Sequence, residues 1–162
     1  MKEKIVTAEQ ASAFGKEMRD KERKLVFTNG CFDLLHVGHV RYLQAARALG
    51  DALIVAINGD ESVRVLKGDG RPLHRAEDRA EVIAALESVD RVVIFPEVRA
   101  TNLLEMVRPA VYVKGGDYTK STLHADERAV LERIGTEIRI LPFEAGHSTS
   151  GLLKKIAQRS GE

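Results

Sequence analysis

The sequence predicts an α/β sandwich of three layers, in which a parallel sheet of about five strands lies between helices. Short apolar runs alternate with amphipathic helical segments along the chain, and the second run, residues 52–57, is aliphatic at every position. Such a run is typical of a parallel strand that is covered on both faces. Right-handed crossovers place the carboxyl ends of parallel strands along one edge, so we expect a Rossmann-like arrangement with a ligand site at that edge.

An N-terminal helical extension is predicted over residues 1–23, ahead of a main domain over residues 24–162. Thr7, with Gln10 three positions later, is a capping-box pattern, and residues 8–23 after it carry apolar side chains at helical spacing. The extension either covers an edge of the sheet or contributes to a dimer interface, and both alternatives stay open at this point.

The main domain begins with a strand, and strands then alternate with helices. Apolar runs rich in strand-forming residues predict strands at residues 25–27, 52–57, 92–95, 111–113 and 138–141. Apolar residues at helical spacing predict a helix from residue 37 that ends by Gly50, and further helices at residues 76–87, 101–107, 124–134 and 151–158. Residues 67–75 form a polar loop that contains glycine and proline.

Composition restricts the class of protein. A chain of 162 residues with 44% hydrophobic and 30% charged residues is long and apolar enough for one globular domain. Its 25 Lys+Arg nearly balance its 24 Asp+Glu, so no long-range field favours nucleic acid. The single cysteine excludes an internal disulfide, and no apolar stretch is long enough for a membrane span or a secretory signal. We expect a cytoplasmic protein without a nucleic-acid or membrane partner.

The stretch after the first predicted strand carries the strongest chemical signal. Gly30 permits close backbone approach to a ligand, and His36 and His39 lie three positions apart at the start of a helix. The free amides and the dipole of a helix N-terminus attract anions, and two imidazoles beside them can donate hydrogen bonds to phosphate oxygens. This pattern predicts phosphate chemistry.

Two other interpretations of these histidines stay open. In the first, His36 and His39 are ordinary surface or helix-capping histidines, because two histidines at this spacing are common by chance. A zinc site with Cys31 fits less well, since one cysteine without a compact Cys/His cluster does not make up a structural site. Cys31 is interpreted as a packed residue rather than a nucleophile, because no base is evidently placed to activate it.

Four later features are compatible with the same chemistry. Lys67, in a flexible polar loop at the end of a short helix, can swing over a triphosphate, although it can equally be a solvated surface lysine. Arg79 by itself is one more charge on an exposed helix face. Residues 114–117 follow a strand and either form a plain turn or approach a nucleoside, whose hydroxyl or amino groups the Asp117 carboxylate can hold. Residues 148–150 cap the last helix and can also bind phosphate there.

The sequence resembles a known family at these residues. Gly30-Cys31-Phe32-Asp33 followed by His36-Val37-Gly38-His39 is similar to the signature of the cytidylyltransferase-like branch of HIGH-motif nucleotidyltransferases. Within that branch the resemblance is to the adenylyltransferase part of bacterial heptose-phosphate enzymes, and it covers nearly the whole chain. Further motifs follow in the family's order: Ala56-Ile57-Asn58-Gly59-Asp60, Leu66-Lys67-Gly68, Gly70-Arg71-Pro72, Glu77-Asp78-Arg79, Val113-Lys114-Gly115-Gly116-Asp117-Tyr118 and His147-Ser148-Thr149-Ser150.

The resemblance implies transfer of an adenylyl group from ATP to a heptose 1-phosphate, giving ADP-heptose and pyrophosphate for lipopolysaccharide core biosynthesis. It implies catalytic roles for His36, His39, Lys67 and Arg79, and it reverses the surface interpretation of Arg79. Mg²⁺ is expected mainly on the nucleotide phosphates, so no metal ligands are predicted in the protein. The implied nucleotide-binding residues are Thr28, Asn29, Gly30, Cys31, Phe32, Asp33, Gly38, Lys114, Gly116, Asp117, Ser148, Thr149 and Ser150.

Two other functions remain open. A cytidylyltransferase acting on glycerol 3-phosphate or a similar ester shares the HIGH elements, and a non-catalytic nucleotide-binding module could use the same fold. Many relatives of the heptose enzymes are fused to a sugar kinase, and 162 residues leave no room for one, so we expect the stand-alone form. Such relatives commonly form homo-oligomers, so we expect a homodimer.

Overall fold

A parallel sheet organises the protein, as the sequence predicts. The computed structural model describes residues 2–116, 122–142 and 145–161. Within those ranges the sheet has six strands in the order β1-β4-β3-β2-β5-β6, and every neighbouring pair is parallel. The strands are β1 Ile5–Val6, β2 Leu25–Gly30, β3 Ala52–Asn58, β4 Arg91–Phe95, β5 Val111–Gly115 and β6 Glu137–Leu141.

The sixth strand was not predicted. β1 has two residues, and it pairs with β4 at one edge of the sheet. Two residues show no periodicity, so apolar patterning cannot reveal a strand of this length. The N-terminal segment therefore lies at a sheet edge, and it contributes to the same sheet as the remainder of the chain.

The helices follow the predicted order, with small differences at their ends. They are α1 Ala8–Asp20, α2 Val37–Arg47, α3 Asp60–Lys67, α4 Ala76–Ala84, α5 Thr101–Val107, α6 Ala125–Ile134 and α7 Thr149–Arg159. The capping box of Thr7 and Gln10 is present at the start of α1. That helix ends three residues earlier than predicted, because Lys21 caps it and Glu22 takes a left-handed conformation with φ of 53°.

The core has two layers, one on each face of the sheet. Phe27, Ile54 and Tyr112 face a cluster formed with α1, α5 and α6. Their neighbours along the strands, such as Val26 and Val55, face a second cluster formed with α2 and α4. Every residue of β3 is buried, which confirms the prediction that this strand is covered on both faces.

The order of the strands determines where a ligand can bind. From β2 the chain moves outward through β3 to β4, and the connection through α5 then returns it to the other side of β2, where it forms β5. In open parallel sheets a crevice forms outside the carboxyl ends of the strands at such a reversal. The ends of β2 and β5, at Gly30 and Gly115, border that crevice.

In the part of the chain that the structure describes, the helices are all too short or too polar to cross a bilayer.

The close contact between α1 and α5 gives a first prediction. A Cβ atom on Gly15, which is buried in α1, would lie 2.2 Å from the carbonyl oxygen of Val107. Gly→Ala within a helix otherwise stabilises a protein by about 0.5–1 kcal/mol. Here we expect Gly15→Ala to lower the free energy of unfolding by about 1–3 kcal/mol, because the two helices must separate.

Urea denaturation of the purified variant measures this effect. Lys16→Ala is the control, because Lys16 is exposed and its ion pair with Asp20 at 2.6 Å is of the kind worth less than about 1 kcal/mol. A Gly15→Ala protein as stable as the wild type would mean that α1 does not pack against α5 as described.

Candidate active site

A cavity of about 800 Å³ opens at the carboxyl edge of the sheet, at the predicted crevice. Its walls come from the ends of the central strands and from the N-termini of α2 and α7. Most of the site residues predicted from the sequence line it. These are Asn29, Gly30, Cys31, Phe32, Asp33, His36, Gly38, His39, Lys67, Lys114, Ser148, Thr149 and Ser150.

The two histidines of the HxGH motif cap α2 and face the cavity at the same time. The Nδ1 atom of His36 accepts a hydrogen bond from the Gly38 amide at 3.1 Å, and Nδ1 of His39 accepts one from the His36 amide at 3.3 Å. A neutral imidazole that accepts at Nδ1 carries its proton on Nε2. The capping bonds therefore leave each ring with an Nε2–H donor, and the ring centroids lie 3.9 Å apart.

Both rings are neutral at physiological pH. Burial, and to a smaller extent the neighbouring His36, lowers the pKa of His39 to about 4. Burial and the nearby His147 also lower the pKa of His36. The Phe32 ring lies 5.6 Å from the His39 ring, and the left-handed backbone of Phe32, with φ of 48°, directs it there. These groups suit hydrogen-bond donation more than proton transfer.

A glycine allows α2 and α7 to meet at the cavity. A Cβ atom on Gly38 would lie 2.9 Å from the His36 ring and 3.0 Å from Cβ of His147. The Thr149 hydroxyl donates to the carbonyl of Leu34 at 3.0 Å, which fixes the start of α7 beside the loop that precedes α2. Two helix N-termini thus converge on one cavity, and both favour anions.

The Asp33 carboxylate holds the polar loop at residues 68–75 against the cavity. It accepts hydrogen bonds from Nε of Arg71 at 2.6 Å and from the amides of Leu73 and His74 at 2.8 and 3.1 Å. Burial by itself raises the pKa of Asp33, but these hydrogen bonds outweigh it, and the pKa is lowered overall. Asp33 thus orients this loop, and the nucleotide contact that the resemblance implies for it stays a prediction.

Arg79 is deeply buried, which differs from both interpretations made from the sequence. Its side chain is 1% exposed, and it is not among the described residues that line the cavity. Its guanidinium donates to the carbonyls of Cys31, Asn58 and His74 at 2.7–2.9 Å and forms an ion pair with Asp60 at 2.8 Å. Arg79 therefore joins the ends of β2 and β3 to the polar loop, rather than presenting its charge on a helix surface or in the cavity.

Two other predicted residues that the structure describes do not lie on the cavity wall. Thr28 is buried, and its hydroxyl donates to the carbonyl of Val113 and contacts the Tyr42 hydroxyl at 2.7 Å. Gly116 is buried, with a left-handed φ of 95°, and its amide donates to the carbonyl of Leu141 at 3.0 Å. Asp117 lies outside the described residues, so its predicted contact with the nucleoside stays a prediction.

Cys31 lines the cavity as a protonated thiol. Burial raises its pKa, although Lys67, Arg79 and Arg71 act in the opposite direction. This agrees with the interpretation of Cys31 as a packed residue, since a nucleophilic cysteine needs a lowered pKa.

The cavity also contains residues that sequence reasoning missed or left unassigned, notably Arg71, Arg99, Glu127 and His147. Arg99 follows the end of β4, so the strand-end rule that located the other motifs could have found it. Glu127 occupies a buried position of α6 beside Val130 and Leu131, and a carboxylate on an apolar helix face is a readable signal.

The burial of Arg79 gives a second prediction. In Arg79→Met, three carbonyl oxygens lose their donor, and a buried acceptor left without a partner costs about 1–3 kcal/mol. The Asp60 side chain is 37% exposed, so water can solvate it once the ion pair is lost. We expect chemical denaturation to show a decrease of at least that size in the free energy of unfolding. An Arg79→Met protein that is fully stable but inactive would instead support the substrate contact implied by the resemblance.

The lowered histidine pKa values give a third prediction. When an imidazole has a lower pKa in the folded protein than in the unfolded chain, the unfolded chain binds its proton first as the pH decreases. The free energy of unfolding therefore decreases over that pH range. We expect the melting temperature to fall as the pH decreases from about 6.5 towards about 4, the two pKa values of His39. His39→Asn should reduce this slope, whereas the same change at the exposed His74 should leave it unaltered.

Relatives of known name match nearly the whole chain. A family model described as Cytidylyltransferase-like matches residues 27–153. Bifunctional protein HldE of Geobacter sulfurreducens is 47% identical over 158 residues, which is 98% of this chain and 30% of that protein. The HldE protein of Wolinella succinogenes is 46% identical over 155 residues, or 95% of this chain and 31% of that protein. The chain thus spans less than a third of the length of these curated relatives.

Two solved structures resemble this one. A lipopolysaccharide core biosynthesis protein of Thermoplasma volcanium superposes with a TM-score of 0.62 at 26% identity, over 75% of this chain and 97% of that one. A pantoate-beta-alanine ligase of Francisella tularensis, at 16% identity and a TM-score of 0.56, shares the fold alone. The family match over most of the sequence and the identity to the curated relatives show that the chain belongs to the cytidylyltransferase-like family of nucleotidyltransferases.

Proposed function

We propose that the protein transfers the adenylyl group of ATP to a heptose 1-phosphate, giving ADP-heptose and pyrophosphate. The observation that carries this proposal is the pair of neutral imidazoles at the N-terminus of α2, each with an Nε2–H left over for a ligand. The adenylyl donor and the heptose acceptor are supported by the identity to HldE proteins and by the similarity to a lipopolysaccharide core biosynthesis protein.

The chemistry matches the protonation state of these groups. A phosphate oxygen of the sugar phosphate attacks the α-phosphorus of ATP in line. A bond from that oxygen to phosphorus forms as the bond to the β-phosphate oxygen breaks, and pyrophosphate carries away the electron pair. The attacking oxygen is already ionised at neutral pH, so the step needs no general base. Neutral donors that stabilise charge on the α-phosphate are sufficient, and His36 and His39 supply them.

Other described residues bind the charge of the substrates. Ser148, Thr149 and Ser150 lie at the N-terminus of α7, where hydroxyls and free amides hold the leaving pyrophosphate. Lys67, the last residue of α3, supplies a cation at the cavity wall. Arg79 acts as a positioning residue, because its guanidinium fixes the strand ends that carry the site.

Mg²⁺ enters this scheme with ATP. The described cavity residues include two carboxylates, Asp33 and Glu127, and both oxygens of Asp33 already accept hydrogen bonds. With so few free carboxylate oxygens among the described residues, the site fits a cation bound to the triphosphate better than one bound to protein ligands. When bound, the cation neutralises phosphate charge. The homodimer and the cytoplasmic location stay predictions from the sequence.

Release of pyrophosphate with Mg²⁺ tests the proposal. ATP with D-glycero-D-manno-heptose 1-phosphate is compared with CTP and glycerol 3-phosphate, each with and without the acceptor. Release that depends on both ATP and the heptose phosphate supports the proposal. Release with CTP alone would indicate a cytidylyltransferase, and nucleotide binding without any turnover would indicate a binding module.

The roles of the histidines give a fourth prediction. In His39→Asn the amide oxygen can still accept from the His36 amide, so the cap remains while the Nε2–H donor is lost. We expect kcat to fall about 100- to 1,000-fold, the usual effect of removing one donor to a developing charge. His74→Asn, at an exposed histidine outside the described cavity wall, is the matched control. Wild-type turnover in His39→Asn would contradict the mechanism.

A further inference from the structure

We propose that Arg99 and Lys114 form a separate anion subsite that binds the phosphate group of the acceptor, across the sheet edge from the paired imidazoles. This inference rests on the proposed function and deepens it. It assigns a role to Arg99, which no sequence motif identified, and it places Lys114 on the acceptor side of the cavity rather than at the nucleoside.

Arg99 supplies the first cation. It lies in the connection between β4 and α5, is half-buried and lines the cavity. It makes no hydrogen bond or ion pair with any residue that the structure describes, in contrast to Arg71, which also lines the cavity and is bound to Asp33. A half-buried guanidinium on a cavity wall, with its donors not used by the described protein, is suited to bind a phosphate group through two parallel hydrogen bonds.

The segment that carries Arg99 is held from both sides. The Asn58 side chain donates to the carbonyls of Glu97 and Val98 at 3.2 and 3.4 Å. The Ala100 amide donates to the buried carboxylate of Glu127 at 3.4 Å. The residues directly before and after Arg99 are therefore anchored to β3 and α6. A cation on an anchored segment loses little conformational entropy when it binds a ligand.

Lys114 supplies the second cation on the same face of the sheet. Side chains alternate along β5: Tyr112 belongs to the core cluster of α5 and α6, and Val113 belongs to the opposite cluster. Lys114 therefore returns to the face of Tyr112. Burial lowers the pKa of Lys114, the Glu127 carboxylate acts against this, and the positive charges of Arg99 and Lys67 lower the pKa further. Lys114, Arg99 and Lys67 line the same cavity, and an anion bound there reduces the repulsion between their charges.

The position of the subsite suits in-line attack. The imidazoles lie at the N-terminus of α2, and the hydrogen bond from Thr149 to Leu34 holds the start of α7 beside them. Arg99 directly precedes α5, and the alternation along β5 places Lys114 on the sheet face that α5 and α6 cover. An in-line displacement requires the attacking oxygen and the leaving pyrophosphate on opposite sides of the α-phosphorus. The helix N-termini with their neutral donors and the cations Arg99 and Lys114 are two separate anion-binding groups on one cavity wall. They provide for that geometry, with the leaving group at α7 and the acceptor phosphate at Arg99.

The test compares Arg99→Met with the wild type and with Arg139→Met. Arg139 lies on the edge strand β6, outside the described cavity wall, with its side chain 49% exposed. Calorimetry measures binding of heptose 1-phosphate and of inorganic phosphate to each protein saturated with a non-hydrolysable ATP analogue. We expect Arg99→Met to weaken both by about 10- to 100-fold, the range for lost hydrogen bonds to charged groups, with binding of the analogue unchanged.

Steady-state kinetics adds a second readout. The KM for the acceptor should rise by the same factor in Arg99→Met, the KM for ATP should stay constant, and Arg99→Lys should recover part of the loss. Thermal melts establish that the variants are folded, and Arg99→Gln replaces Arg99→Met if the latter is not. Unchanged acceptor binding in a folded variant overturns the subsite.

Turnover and binding measurements distinguish an incorrect subsite proposal from an incorrect proposed function. Turnover by the wild type together with unaltered acceptor binding in the Arg99 variants rejects the subsite and leaves the function in place. Absence of turnover, with phosphate binding that still depends on Arg99, rejects the heptose reaction and supports an anion subsite. A wild-type protein that binds neither phosphate nor heptose 1-phosphate rejects the subsite.

Discussion

The buried guanidinium of Arg79 is the constraint on which the remainder of the site depends. The carboxyl ends of β2 and β3 point their carbonyl groups towards the same space, and the polar loop adds a third carbonyl. Without a cation these oxygens would repel one another and need water. Arg79 draws them together, so the segments that carry Asp33 and His36 on one side and Lys67 on the other start from fixed positions.

The charged groups near the site fall into two sets with different partners. Arg79 and Arg71 neutralise partners within the protein, namely Asp60 and Asp33, and so determine the shape of the cavity. Lys67 and Arg99 make no ion pair with any residue in the described ranges, and both lie on the cavity wall. The near balance of charge in the whole sequence therefore conceals a local excess of positive charge at the site, which is the field that a polyphosphate and a sugar phosphate require.

Much of this could be predicted from the sequence, and the exceptions have physical causes. The buried strand at residues 52–57, the cap at Thr7 and the position of His36 and His39 at a helix N-terminus each depend on neighbouring residues, so the local pattern was sufficient. The surroundings of Arg79 and Arg99 depend on loops far apart in the chain. Arg79 shares the buried face of α4 with Ala80 and Ile83, and a helix pattern cannot show which carbonyls will meet a charge placed there.

The bonds that end at Nδ1 of His36 and His39 couple the start of α2 to whatever occupies the cavity. A negative group that accepts from Nε2–H polarises the ring, and the opposite nitrogen becomes a stronger acceptor for the amide of Gly38 or His36. Ligand occupancy and the order of the first helical turn thus increase together. We therefore expect a ligand that touches neither amide to slow the exchange of their hydrogens with solvent, because the imidazoles transmit the effect.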